Sequence, residues 1–543
     1  MRGADIVART LAEAGVRTVF TLSGNQIMPI FDACIDVDIR LIHVRHEAAA
    51  VYMADAWAQI TGEVGVALVT AAPGFANALS PLFSARAAES PVVLLSGDSP
   101  AAQLGQGAFQ ELEQPDMSAR VTKASFRAGA DIGVDIARAL QIASSGRPGP
   151  VHVALPFDLL NNPVGDGVAP GKDSGRDATP MAADAAQAVL SKLGAAKRPL
   201  VLTGPMLNAS RAGSTLRELA AMVDAPVVPM ESPRGLRDPS LGMFSEALAR
   251  ADLVVSLGKS IDFTVGFGRP PAVGADCEFL LIDQDNGEIE RARRLLGERL
   301  VEVVRADADA ALRALIELGP GGNALADWRS EVAEALSARG TSPLPSAPSG
   351  AVSSGALCKG VQDIIDAADN PILVCDGGEI GQWAQAYINA PRRIINGPSG
   401  AIGGGLSYAI AAKVADPSAT VVLVMGDGTT GFHLSEFDTA VRAEAPIIAV
   451  IGNDARWNAE HVIQMRDYGE DRLIGCDLRA TRYDAAVAGL GGHGEHVTAL
   501  DDLAPALGRA LASNAPACVN VEIHSHAAPN FVRDGVVPPE VRK

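Results

Sequence analysis

Two carboxylates, each in a glycine-bearing turn just past an apolar run, carry the sharpest chemical signal in the sequence. Val421-Val422-Leu423-Val424-Met425 is an apolar, β-branched run that ends in Gly426-Asp427-Gly428. A second run, 447–451, ends in Gly452-Asn453-Asp454, so Asp427 and Asp454 lie 27 residues apart. Parallel sheets place ligands at the carboxyl ends of their strands. A hard cation such as magnesium takes carboxylates, amide oxygens and carbonyls while keeping phosphate oxygens as partners. The glycines let backbone N–H groups approach a diphosphate, and the helical segment that follows offers its positive end. Gly-Asp-Gly alone is a common surface turn, and the chain supplies its own control. Gly165-Asp166-Gly167 has no strand before it. Only the second copy sits in a frame of strand, turn, helix, strand and Asn-Asp.

A second group of chemically capable residues lies near the start of the chain. Arg45-His46-Glu47-Ala48-Ala49-Ala50 is followed by Gly65-Val66-Ala67-Leu68-Val69-Thr70 and then Pro73-Gly74-Phe75-Ala76-Asn77. Taken alone, Glu47 reads as an exposed carboxylate opening a helix, where the dipole favours it.

These groups must be positioned by something larger than one ordinary core, since 543 residues is about three domains at roughly 100–200 residues each. Residues 161–179 are loaded with Gly, Pro and Asp, and 340–354 with Ser, Pro, Gly and Ala; both have turn chemistry and no hydrophobic period. Between them, short apolar runs alternate with amphipathic stretches. Strands are expected at 64–70 and 91–96, at 199–203, 253–257 and 279–283, and at 372–375, 420–425 and 447–451, with a helix over 4–14. Continuous apolar strands alternating with helices imply parallel sheets covered on both faces. The expected fold class is α/β, with three doubly wound parallel-sheet domains over residues 1–165, 180–338 and 353–543.

Composition excludes several classes of partner. A net charge of −19 and a pI near 4.9 repel a nucleic-acid backbone or an anionic membrane, and no run of five basic residues offers an exception. No apolar stretch of about 18 residues marks a membrane span. Cys34, Cys277, Cys358, Cys375, Cys476 and Cys518 are scattered without a CxxC pair, as buried thiols in a reducing compartment would be. The N-terminus lacks the apolar core of a signal peptide. The expectation is a cytoplasmic protein with a small-molecule substrate.

Gly426-Asp427-Gly428 followed by Asn453-Asp454 resembles the signature of the thiamine diphosphate-dependent enzymes, with Asp454 standing where family members usually carry Asn. The resemblance implies thiamine diphosphate and Mg2+ as cofactors. It assigns the metal to Asp427, Asp454 and the backbone carbonyl of Arg456, and the cofactor to Gly426, Gly428, Thr429, Pro73 and Asn77 as well. Glu47 falls where the family holds the glutamate that hydrogen-bonds the cofactor's pyrimidine ring and so activates its thiazolium carbon; the hard chemistry then belongs to the cofactor. Ile402, 25 residues before Asp427, falls where a bulky apolar side chain bends the cofactor into a V. In related enzymes the pyrimidine and diphosphate are held by different subunits, which implies a homodimer or homotetramer.

The likeness covers essentially the whole chain and is nearest the group containing acetolactate synthases, benzaldehyde lyase, oxalyl-CoA decarboxylase and 2-hydroxyacyl-CoA lyase. Trp457-Asn458-Ala459-Glu460-His461 looks most like benzaldehyde lyase. Gly107-Ala108-Phe109-Gln110-Glu111 resembles the acetolactate synthases and the hydroxyacyl-CoA lyases, which would aim Gln110 at the reacting centre as a catalytic residue. Asn25, Gln26, Phe109 and Trp457 join it as substrate candidates. Gln26 stands where benzaldehyde lyase has histidine, which removes a proton shuttle. No His-His pair occurs, and the region after Asp454 lacks the Gly-Met-Val-x-Gln-Trp pattern of biosynthetic acetolactate synthases. Leu257-Gly258-Lys259-Ser260 replaces the run of flavin-binding members, so flavin is not expected; Arg234, Lys259 and Arg269 read as solvated charges, with phosphate contacts to a coenzyme A as the alternative. The implied function is a carboligase or lyase acting on 2-hydroxy ketones or 2-oxo acids. The alternatives are a 2-hydroxyacyl-CoA lyase, an oxalyl-CoA decarboxylase-type enzyme, or a non-catalytic cofactor-binding subunit.

Overall fold

The computed structural model describes residues 1–164, 175–319, 325–338, 347–395, 399–524 and 526–531. The Gly165-Asp166-Gly167 turn and much of both linkers lie outside the described residues.

Three parallel α/β sheets follow one another along the chain. The first contains β1 (Thr18–Thr21), β2 (Arg40–His43), β3 (Gly65–Val69), β4 (Val92–Asp98), β5 (Ala124–Arg127) and β6 (Val151–Pro156), in the order β2-β1-β3-β4-β6-β5. The second contains β7 (Pro199–Thr203), β8 (Val227–Pro229), β9 (Leu253–Leu257), β10 (Glu278–Ile282) and β11 (Leu300–Val304), ordered β11-β10-β9-β7-β8. The third contains β12 (Val352–Ser353), β13 (Pro371–Cys375), β14 (Arg392–Ile395), β15 (Thr420–Gly426), β16 (Ile448–Asn453), β17 (His493–Val497) and β18 (Ala517–His524). Its order is β12-β18-β16-β15-β13-β14, with β17 also paired to β18. β3, β4, β6, β7, β9 and β13 are buried along their whole length, as expected for strands covered on both faces.

By contacts the chain forms two compact units. One holds Met1–Asp177, Ser346–Gly381 and Arg392–His526, and thus the first and third sheets; the other holds Ala178–Pro345 with Gln382–Pro391 and Ala527–Lys543. In the first unit, helix Glu47–Thr61 packs on helix Gly405–Ala415. The alanine-rich face of the former permits close approach. Tyr52 and Tyr408 meet edge to face at 5.5 Å, and the Tyr408 hydroxyl donates to buried Asp55 Oδ2 at 3.0 Å. Helix Glu47–Thr61 ends on Gly62 in the left-handed region, as helices commonly do. It lies so near β3 that a Cβ on Gly65 would fall 1.9 Å from Ala54 O.

The second unit corrects one expectation. Lys259 is not a solvated charge: it is buried, and its ammonium donates to Thr264 Oγ1 at 2.6 Å and Ser260 O at 3.0 Å. A buried ammonium needs such acceptors. Arg269 is exposed and Arg234 half-buried.

Candidate active site

The ends of three neighbouring parallel strands, β13, β15 and β16, converge on one cleft. Its lining includes Gly378, Ile380, Ile402, Gly426, Asp427, Gly428, Thr429, Asp454, Arg456 and Trp457. Register Gly426↔Gly452 sets the two acidic turns side by side. The close approach leaves no room for side chains at three of the glycines. A Cβ on Gly428 would meet the Trp457 ring at 2.6 Å, one on Gly452 would meet Ile380 at 2.7 Å, and one on Gly378 would meet Ala459 at 2.8 Å. Thr429 and Thr430 turn their hydroxyls back onto Gly426 O, at 2.9 and 2.8 Å.

Asp427 is 2% exposed, and its carboxylate accepts from Arg456 N at 3.2 Å. Burial, then the nearby Asp454 carboxylate, pushes Asp427 up to about 7, because both effects penalise the charged form. Two carboxylates so placed fit a divalent cation that also binds phosphate oxygens. Among the described residues no cluster of three or more His, Cys, Asp or Glu could hold a metal by itself. The turn after β16 is held by its own amide: Asn453 accepts from Ala455 N at 3.2 Å and donates to Thr481 O and Asn520 Oδ1, both at 3.1 Å.

Ile402 lines this cleft from a loop that two unforeseen residues fix. Buried Asp376, just past β13, accepts from Gly403 N at 3.1 Å and Gly405 N at 2.7 Å. His433 Nδ1 bonds Gly403 O at 2.7 Å. A carboxylate directly after a buried strand was the only sequence signal for Asp376; His433 had none.

A second group forms at the carboxyl ends of the first sheet. Glu47 is the first residue of its helix, where the dipole favours it, but it is half-buried rather than exposed. Its Oε2 accepts from Asn77 Nδ2 at 3.0 Å, and its Oε1 lies 3.3 Å from where a Gly74 Cβ would be. Asn77 ends the short helix Pro73–Asn77, whose Phe75 packs on the His152 ring with centroids 4.6 Å apart. Gln26 is buried and donates from Nε2 to Gln110 Oε1 at 2.6 Å, while Thr70 Oγ1 donates to Gln26 Oε1 at 2.6 Å. Gln110 has φ +58°, rare for a non-glycine residue. Its loop is tied by Glu111, which accepts from Gly105, Gly107 and Ala108 N–H groups; those bonds hold the Glu111 carboxyl below the usual range. Phe109 is 76% exposed and Asn25 is exposed.

The structure therefore gathers the expected residues into two sets. Ile402, Gly426, Asp427, Gly428, Thr429, Asp454, Arg456 and Trp457 share the cleft of the third sheet. Glu47 with Asn77, and Gln26 with Gln110, belong to the first sheet and line no part of that cleft.

Comparison with known proteins matches residues 1–117 to the family model "Thiamine pyrophosphate enzyme, N-terminal TPP binding domain", 186–315 to its central domain and 376–521 to its C-terminal TPP binding domain. Among similar proteins, a probable acetolactate synthase of Mycobacterium bovis is 33% identical over 533 residues, covering 96% of this chain and 95% of that protein. The 2-hydroxyacyl-CoA lyase 2 of Mus musculus is 32% identical over 543 residues and that of Homo sapiens 31% over 547, each covering 91% of this chain and 84% of the relative.

Proposed function

The chain belongs to the thiamine pyrophosphate enzyme family, and from that premise we propose a thiamine diphosphate- and magnesium-dependent carboligase or lyase that acts on 2-hydroxy ketones or 2-oxo acids. The observation that carries this reading is buried Asp427 beside half-buried Asp454 at adjacent strand ends, whose repulsion a divalent cation and its diphosphate would relieve. When bound, thiamine diphosphate supplies a nucleophilic carbon and an electron sink for bonds next to a carbonyl.

The residues of this chain then divide the work. Asp427, Asp454 and the Arg456 carbonyl hold the metal; Gly426, Gly428 and Thr429 receive the diphosphate; Ile402 supports the bend. Glu47, oriented by Asn77, would hold the pyrimidine ring through a shared proton, with Pro73 also on the cofactor side. Gln110 contacts substrate, with Asn25, Gln26, Phe109 and Trp457 around it. Asp454 replaces the family's usual Asn and remains an oxygen ligand.

The separation of the two sets supports assembly. Among the described residues the cleft around Asp427 is lined from the 378–460 region, so a second copy would bring its Glu47 set to complete the site, and a homodimer or homotetramer is the working unit. Six free, buried cysteines support a reducing compartment, the cytoplasm; among the described residues no helix is long and apolar enough to cross a membrane.

A second reading, 2-hydroxyacyl-CoA lyase activity, is favoured by the mouse and human relatives and by Ala455-Arg456-Trp457-Asn458 in place of the acetolactate synthase pattern. Turnover by purified holoenzyme of 2-oxo acids, 2-hydroxy ketones and 2-hydroxyacyl-CoA thioesters separates the two. Turnover of none of the three refutes both.

A further inference from the structure

The amide of Gln26 lies 84 residues from its partner Gln110 in sequence and is almost wholly buried, yet it makes two short side-chain bonds. The Thr70 hydroxyl donates to Gln26 Oε1 at 2.6 Å, and Gln26 Nε2 donates to Gln110 Oε1 at 2.6 Å. The three side chains therefore form a directed chain. An amide has one acceptor end and one donor end, so occupying Gln110 Oε1 leaves its Nε2 as the outward group; that nitrogen has no other partner among the described residues.

Packing holds the chain in place. A Cβ on Gly97 would stand 2.7 Å from the Gln26 Cβ, and one on Gly24 would stand 2.4 Å from Thr70 Oγ1. Gln26 and Thr70 thus pack directly on glycine backbone, and the Glu111 bonds fix the loop that presents Gln110.

We infer that Gln26 is a positioning residue that sets the polarity of the Gln110 amide, so that the site meets its substrate with a neutral N–H donor and selects substrates bearing an acceptor oxygen beside the reacting carbon. The oxygen of a 2-oxo acid or the carbonyl of an acyl thioester answers that description. The inference rests on the reading above in which Gln110 touches substrate. A preset donor aimed at developing negative charge costs no reorganisation during reaction.

Gln26→Glu inverts the chain without changing its size. An ionised carboxylate only accepts; it takes both the Thr70 hydroxyl and Gln110 Nε2, which turns Gln110 Oε1 outward. Kinetics with pyruvate and with a 2-hydroxyacyl-CoA, on whichever wild type turns over, should show kcat about 10²-fold lower in Gln26→Glu with KM changed less. Gln26→Met, which frees Gln110 to rotate, should lose only about tenfold. A protonated glutamic acid again donates with one oxygen and accepts with the other. The ratio of Gln26→Glu to wild-type kcat should therefore climb as pH falls from 8 to 6, a recovery that a merely structural role would not give. The titratable groups on surrounding elements are Glu47, His43, Asp98 and Glu111, and the ratio cancels their common effect. Exchange of the cofactor C2 proton should stay at the wild-type rate in both variants. A flat ratio, or Gln26→Glu matching wild type, overturns the inference while leaving the proposed function intact. Gln110→Ala fully active overturns the inference alone, and wild type inert toward 2-oxo acids, 2-hydroxy ketones and 2-hydroxyacyl-CoA thioesters alike overturns that function and the inference with it.

Discussion

Acid should loosen the first sheet under the Glu47 group, and His152 sets the range in which it does so. The ring is fully buried on β6, bonded to Ser96 Oγ at 2.8 Å and to Ser118 and Ser125 Oγ at 2.9 Å, and covered by Phe75. Burial, with Arg127 adding to it, pushes His152 down to about 3. Because the folded state prefers the neutral ring, its contribution is fully present above the ordinary value of 6.5 and is lost as pH falls through the interval toward 3. The gap corresponds to about 5 kcal/mol in full, of which about 2 kcal/mol is lost by pH 5. Carboxylates of ordinary pKa have barely begun to titrate there, and the raised Asp427 belongs to the third sheet, outside the peptides followed. In a chain of several domains a global midpoint mixes units, so the measurement is local: amide hydrogen exchange in peptides spanning 92–98 and 151–156. Opening free energy should drop by about 2 kcal/mol between pH 7 and pH 5 in wild type and much less in His152→Gln. Since Phe75 shares a short helix with Asn77, the partner of Glu47, activity should decline over the same interval. Equal pH slopes in the two proteins, or an imidazole that titrates near 6.5 in the fold, would refute the reasoning.

Two further expectations concern the third sheet and its packing. Asp427→Asn should weaken thiamine diphosphate binding by at least about 100-fold in calorimetry, since a buried charge-assisted contact is lost, and a chelator should strip metal and cofactor together; unchanged affinity would put the metal elsewhere. Tyr408→Phe removes the hydroxyl from Asp55, which keeps Gln59 at 2.9 Å. It should cost about 1.5–3 kcal/mol, read as a drop in opening free energy by amide hydrogen exchange in peptides spanning 47–61 and 405–415, and no drop would deny that contact an energetic role.

The strands were legible in the sequence because central parallel strands are continuous apolar runs. The expected 253–257 and 199–203 agree with β9 and β7. β15 and β16 run on to Gly426 and Asn453, beyond the apolar residues, because the Gly426↔Gly452 pairing extends the ladder where no side-chain pattern announces it. The acidic turns were legible because each follows such a run. Contacts across long separations were not: Thr70, Gln26 and Gln110 carry no periodic signal, and Tyr52 with Tyr408 joins helices of different sheets. Lys259 misled for the same reason, since its acceptors come from a turn whose shape only the fold supplies.

The central claim is that Glu47 activates a cofactor held elsewhere, by Asp427 and Asp454. Deuterium exchange at the C2 carbon of bound thiamine diphosphate, compared between wild type and Glu47→Gln, tests it most directly. Exchange should be fast in wild type and fall by orders of magnitude in Glu47→Gln, with cofactor affinity largely retained because the proposed diphosphate and metal contacts are those of the third sheet's cleft. Equal exchange rates in the two proteins, or wild-type exchange no faster than free thiamine diphosphate, would contradict it.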